Sequence, residues 1–149
     1  VGATEGTLSA VVRGGDACTD PYRIPAGGGV FQGTTAGFGA DHGTSNRSGS
    51  CTGYEQSGAD AVYEVVVPAG ATLDAALVTA WDAALYLVAS CEQAATTCVT
   101  GDDSGSPERL SHTNATGAEQ TWYLVVDSWR PSSTGATREG PYTLAVRLR

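Results

Sequence analysis

"YTLAVRLR", residues 142–149, alternates Tyr142, Leu144, Val146 and Leu148 with Thr143, Ala145, Arg147 and Arg149. Successive side chains on a strand point to opposite faces, so this pattern predicts a strand with one face in a core and the other in water. The same period recurs along the chain, between clusters of Gly, Pro, Asn, Asp and Ser. "DAVYEVVVP" (60–68) puts Ala61, Tyr63, Val65 and Val67 on one side, and "ATLDAALVTAW" (71–81) groups Leu73, Ala75, Leu77 and Trp81. "TLSAVVR" (7–13) aligns Leu8, Ala10 and Val12. "AALYLVAS" (83–90) is apolar on both faces, as a central strand is, and "TWYLVVDSW" (121–129) is a further strong strand. Shorter strands are expected near Val30-Phe31 and Arg109-Leu110. Helical periodicity is nearly absent, and about eight or nine strands at this spacing predict an all-β sandwich. Trp122, Tyr63 and Tyr142 fall in strand patterns and are assigned to the core.

The chain has 149 residues, enough for one domain with a sizeable core. Its formal net charge is −8, and its eight basic residues are all Arg. That balance excludes a nucleic-acid partner, because no basic patch is available to displace counterions from phosphate, and it disfavours anionic membranes. No apolar run approaches the ~18 residues of a membrane span, and no charged-then-apolar signal-peptide pattern remains in these residues. A start at Val1 reads as a mature, exported product.

The four cysteines stand at 18, 51, 91 and 98, with no C-x-x-C pair and no His at zinc-finger spacing. An even count in an acidic, Gly/Thr-rich chain predicts two disulfides formed in an oxidising compartment. Three pairings exist; local closure favours Cys91–Cys98, which leaves Cys18–Cys51. "FGADHGTSNRSGSCTGYEQSGA" (38–59) is a long polar stretch expected to form an ordered excursion tethered by Cys51. Asn46-Arg47-Ser48 and Asn114-Ala115-Thr116 match the N-glycosylation pattern, although a bacterial composition argues against the modification.

"CVTGDDSGSPERL" (98–110) offers three chemistries. Gly101-Asp102-Asp103-Ser104-Gly105 comes close to the nucleophile run of chymotrypsin-like proteases, yet a triad also needs a His base and an orienting Asp. Neither His42 nor His112 has that context, the doubled Asp shifts the register, and the chain is too short for two six-stranded barrels. Both histidines are assigned to solvated polar loops, and Ser104 to no catalysis. No pair of acids stands out for glycoside hydrolysis. As a Ca2+ loop, Asp102 and Asp103 supply too few of the six to eight oxygens required. Asp82, Asp41, Ser45 and loop carbonyls are the candidate additions, and a turn held by Asx-type hydrogen bonds is the alternative. Trp129 and Tyr54 are loop aromatics placed to touch a ligand or partner.

The order of "GGDACTDPYRIP", "SGADAVYEVVVPAGATLDA", "WDAALYLVASCEQAATTCVTGDDS", "ERLSHTNATGAEQTWYLVVDSW" and "GPYTLAVRLR" resembles the bacterial pre-peptidase C-terminal domain over residues 14–149. The resemblance implies a jelly-roll-like β-sandwich appended to secreted proteins, without catalysis, of a family in which some members bind Ca2+, collagen or polysaccharide. It also supports the pairs Cys18–Cys51 and Cys91–Cys98. Thr100-Gly101 departs from the family's acidic pattern before Asp102 and weakens the Ca2+ implication. The segment 1–13 precedes the usual start of the domain. Its strand, Thr7, Leu8, Ser9, Ala10, Val11, Val12 and Arg13, either docks locally or adds to the sheet edge of another copy. Strand addition of that head-to-tail kind propagates into a filament. The expectation is therefore a secreted, non-enzymatic, self-associating or adhesive sandwich whose partner is itself or an extracellular polymer. The alternative is a calcium-dependent accessory module of a larger secreted enzyme, binding polysaccharide or protein.

Overall fold

A computed structural model describes residues 14–42, 51–129 and 138–149. Nine strands are found there: β1 (Tyr22–Arg23), β2 (Gly28–Thr34), β3 (Ala61–Val67), β4 (Thr72–Thr79), β5 (Ala83–Val88), β6 (Cys98–Asp102), β7 (Glu108–Thr113), β8 (Gln120–Ser128) and β9 (Pro141–Leu148). They form a five-stranded sheet in the order β1-β3-β8-β5-β6 and a four-stranded sheet in the order β2-β9-β4-β7. Only the short β1–β3 pair is parallel. The all-β sandwich expected from the strand spacing, which the family resemblance implies is jelly-roll-like, is what the chain adopts. The strand read at residues 7–13 lies outside the described residues.

The main core fills the space between the sheets. Tyr63, Val65 and Val67 of β3, Trp122, Leu124 and Val126 of β8 and Leu85 and Leu87 of β5 meet Leu73 and Leu77 of β4 and Tyr142, Leu144 and Val146 of β9. Tyr63 and Tyr142 share a buried hydroxyl–hydroxyl hydrogen bond of 2.8 Å, which satisfies two polar groups that burial would otherwise penalise. Trp81 only partly joins this core; its indole N–H donates to the Pro141 carbonyl.

A second apolar cluster explains why β5 and β8 carry no alternation. Val62, Tyr86, Val88 and Val125 point away from the main core and are buried with Cys91 and Ala94 under loops. Two disulfides staple those loops down, Cys18–Cys91 and Cys51–Cys98, with Cα separations of 5.7 and 5.3 Å. The pairing predicted from local closure is therefore incorrect at both bonds. The turn between β5 and β6 is closed without sulfur: the Ala89 N–H donates to the Thr97 carbonyl, and Thr97 Oγ1 bonds both the N–H and the carbonyl of Ser90. Cys91 turns inward and Cys98 outward, so each is free to hold a separate distant loop.

Several local expectations change in the same way. Residues 98–102, read as a loop, join the sheet as the edge strand β6. His112 lies on β7, not in a loop, and packs edge-on against Trp122 with ring centroids 5.2 Å apart. His42 is 4% exposed rather than solvated. Asn114 is buried, and its amide donates to the carbonyls of Val67, Pro68 and Ala118, so it is not displayed as a glycan acceptor. Asn46 and Ser45 lie outside the described residues.

Candidate acid–aromatic cleft and two buried carboxyls

The turn 102–105 is built by Glu108. This carboxylate is 2% exposed and accepts the N–H groups of Ser104 (2.8 Å) and Gly105 (3.1 Å). Ser104 is thus an exposed turn residue, with neither histidine among its hydrogen-bond partners. Asp102 ends β6 and accepts the Arg109 N–H at 2.7 Å, which ties the turn to β7. Gly101 lets the loop above settle on this strand. A Cβ there would stand 2.9 Å from Tyr86 Cβ and 3.0 Å from the Cys51 carbonyl oxygen. The glycine of the Thr100-Gly101 departure is therefore a packing requirement of the loop that carries Tyr54.

Tyr54, Glu55, Asp82, Asp103 and Trp129 line one open cleft of about 380 Å³. Tyr54 and Trp129 are 50% and 39% exposed, an unusual state for large rings on a compact domain. Arg138 makes part of the surround, with its guanidinium 5.6 Å from the Trp129 ring centre and 3.5 Å from the Asp82 carboxylate. Asp103 is held by buried Gln56, whose amide donates to it at 2.9 Å and to Thr52 Oγ1 at 2.8 Å. Burial pushes the Asp103 carboxyl above the usual carboxylate range; the Gln56 bond opposes this, and the charges of Asp82 and Asp102 add to it. The two loop aromatics and two of the four predicted metal ligands are thus brought together. Asp102 is engaged with β7, and Asp41 sits elsewhere.

On the covered face of the five-stranded sheet are two wholly buried carboxyls, Asp60 and Asp127. Ala61 pairs with Val126, so Asp60 and Asp127 flank the same end of the β3–β8 ladder. Asp127 accepts the Tyr86 hydroxyl (2.5 Å) and the Ser128 N–H (2.7 Å). Burial raises its pKa to about 7, against those two hydrogen bonds. Asp60 accepts the N–H groups of Asp41 (2.8 Å) and His42 (2.9 Å) on one oxygen, Oδ2. Burial and then the Asp127 charge push it up to about 9. Its other oxygen, Oδ1, has no hydrogen-bond partner, and neither has His42 Nε2, 3.7 Å away. Burial lowers the His42 pKa, so a His⁺–carboxylate pair does not account for the arrangement. Each orphaned buried group costs roughly 1–3 kcal/mol.

Sequence reasoning missed Asp60, Asp127, Gln56 and Tyr86. A signal was present for Asp127: an acid inside "TWYLVVDS", a run otherwise apolar on both faces, has to be buried if the strand is central.

No protein-family model and no curated protein sequence matches the chain. Solved structures do. The pre-peptidase C-terminal domain of a collagenase from Bacillus anthracis superposes with a TM-score of 0.54 at 16% identity, over 86% of this chain and 95% of that one. PliG of Aeromonas hydrophila, a periplasmic inhibitor of g-type lysozyme, superposes with a TM-score of 0.53 at 13% identity, over 86% and 96%. At these identities the likeness is one of fold: the chain has the sandwich of a pre-peptidase C-terminal domain. All four cysteines are paired, which fits an oxidising, extracytoplasmic setting. Among the described residues, no helix is long and apolar enough to cross a membrane.

Proposed function

We propose that the chain is a non-catalytic, extracytoplasmic binding module whose working surface is the cleft between Tyr54 and Trp129, and that its ligand is a polysaccharide. The observation that carries this reading is the convergence of two exposed rings on Glu55, Asp82 and Asp103. Ring faces stack on the C–H face of a sugar, and carboxylates accept hydrogen bonds from its hydroxyls. About 380 Å³ is room for a short saccharide segment rather than a protein surface. The fold supports a module without a reaction of its own, since two domains that share it are a collagenase's C-terminal domain and a lysozyme inhibitor. Asp82 and Asp103 are also the residues that would hold a bridging Ca2+ between the cleft and its ligand.

Affinity electrophoresis against a panel of soluble polysaccharides tests the proposal. Retention should appear with at least one polymer and fall by ~10-fold or more in Trp129→Ala and Tyr54→Ala, the loss of ~1.4 kcal/mol or more of stacking. Loss of retention in EDTA, restored by Ca2+, would assign the bridging ion. Retention unchanged in both ring variants would sink the cleft as the binding surface.

A second reading, assembly by strand addition through residues 7–13, draws on one observation. Among the described residues β2 has a partner on one side only, β9, and offers an open edge seven residues long. Deletion of residues 1–13 should abolish any filaments seen by negative-stain microscopy; filaments that persist would dismiss this reading.

A further inference from the structure

We propose that His42, Asp60 and Asp41 form a binding site for a divalent transition metal of the zinc type, separate from the acid–aromatic cleft. Donor atoms of these three residues lie within 4.8 Å of one another. The cluster does not stand on its acids alone. His42 Nε2 and Asp60 Oδ1 are buried, lack any hydrogen-bond partner and face each other at 3.7 Å. That gap is too long for a hydrogen bond. It suits two ligands that each stand ~2.0–2.2 Å from a common ion.

The surroundings orient both donors. Asp60 Oδ2 is occupied by the Asp41 and His42 N–H groups, which fixes the carboxylate and leaves Oδ1 as its one free oxygen. His42 Nδ1 sits 3.7 Å from Cys18 Sγ. A proton on that nitrogen leaves the Nε2 lone pair facing Asp60, and the Cys18–Cys91 bond anchors the wall behind the ring. Asp41 is exposed, so the third ligand comes from the solvent side and gives the ion a route in and a position for water. One imidazole and two carboxylates are a donor set for zinc and its first-row neighbours. Ca2+ is disfavoured, because it takes six to eight oxygens and these residues include a nitrogen among three donors. The second group of this kind, Cys18, His42 and Cys91, is closed to metal because its sulfurs form the disulfide.

The experiment is calorimetric titration of the EDTA-stripped, dialysed chain with Zn2+, alongside 15N NMR of its two histidine rings. We expect one Zn2+ per chain and a shift of the His42 ring nitrogens, with those of His112 unmoved. Binding should be lost in His42→Ala and Asp60→Asn and weakened ~10-fold or more in Asp41→Ala, a surface change that leaves the core intact. His112→Ala and the cleft variant Asp103→Asn should titrate as wild type. Absence of saturable Zn2+ binding, a shift at His112 in place of His42, or full binding by Asp41→Ala together with His42→Ala would overturn the proposal. Failure of polysaccharide retention would leave it untouched, because the two sites share no residue.

Discussion

Among the described residues, the two outer faces of the sandwich differ in what covers them. Over β5 and β8, the face turned away from the main core is roofed by loops, held by two disulfides, and contains Val62, Tyr86, Val125 and two buried carboxyls. On the four-stranded sheet the register aligns Val30, Ala145, Ala76 and Arg109 across all four strands, and Val30 and Val78 stand largely exposed. The contrast shows where this domain places its chemistry. The roofed face desolvates acids, orients donors and frames a cleft at its margin. The bare face keeps its charges in water, as in the Asp74 cluster with Arg147 and Arg149.

The strongest way to break the contrast is to remove a staple. Loops of 73 and 47 residues close through the two disulfides. Replacing either pair by serines is expected to cost about 4 kcal/mol, most of it through the unfolded chain. Calorimetry should show a large fall in Tm for each double variant. A shift below about 2 °C would mean that the roof holds without its staple.

Two matched substitutions sharpen the comparison at single positions. Val62→Thr puts a hydroxyl into the roofed cluster and should cost ~1–3 kcal/mol in urea unfolding. Val78→Thr makes the same change on the bare face and should stay within ~0.5 kcal/mol. Equal costs would contradict the difference in cover.

The roofed face should also titrate. The Asp127 pKa rises from about 4 in the unfolded chain to about 7 in the fold, so the folded state holds this proton more tightly. Its contribution to stability is complete below about pH 4 and is lost as pH rises through about 7. In metal-free buffer, Asp127→Asn should therefore gain Tm relative to wild type on going from pH 5 to pH 8. Parallel curves would refute the assignment.

The smallest effect belongs to the bare face. Hydrogen bonds from Arg149 and Ser111 hold the Asp74 carboxyl down at about 2. The sign is opposite to that of Asp127: the contribution is present above about pH 4 and disappears as pH falls through about 2. Asp74→Ala should change Tm slightly at neutral pH and flatten the acid limb of the stability curve. An unaltered acid limb would remove Asp74 from the account.

Legibility followed the same division. On the four-stranded sheet, Leu73, Leu77, Leu144 and Val146 were identified by alternation, because one face meets water and the sequence records that. β5 and β8 were legible as strands, but their apolar runs hid which face carries Tyr86 and Asp127. Tyr54, Trp129, Asp82 and Asp103 could be named as candidates from residue type and loop context. Their convergence could not, because it depends on the 51–59 loop lying over β6. His42 and Asp60 are 18 positions apart and gave no motif.

By itself, then, the sequence determined the period-2 strands, the sandwich they build and the oxidised state of its cysteines, since each follows from local pattern or composition. Tertiary structure decided which cysteines pair, which acids are buried and which loop residues meet. Those outcomes depend on how distant loops pack on a sheet whose outer face is apolar. The cost of leaving that face bare selects the roof, and the roof in turn sets the environment of every polar group beneath it.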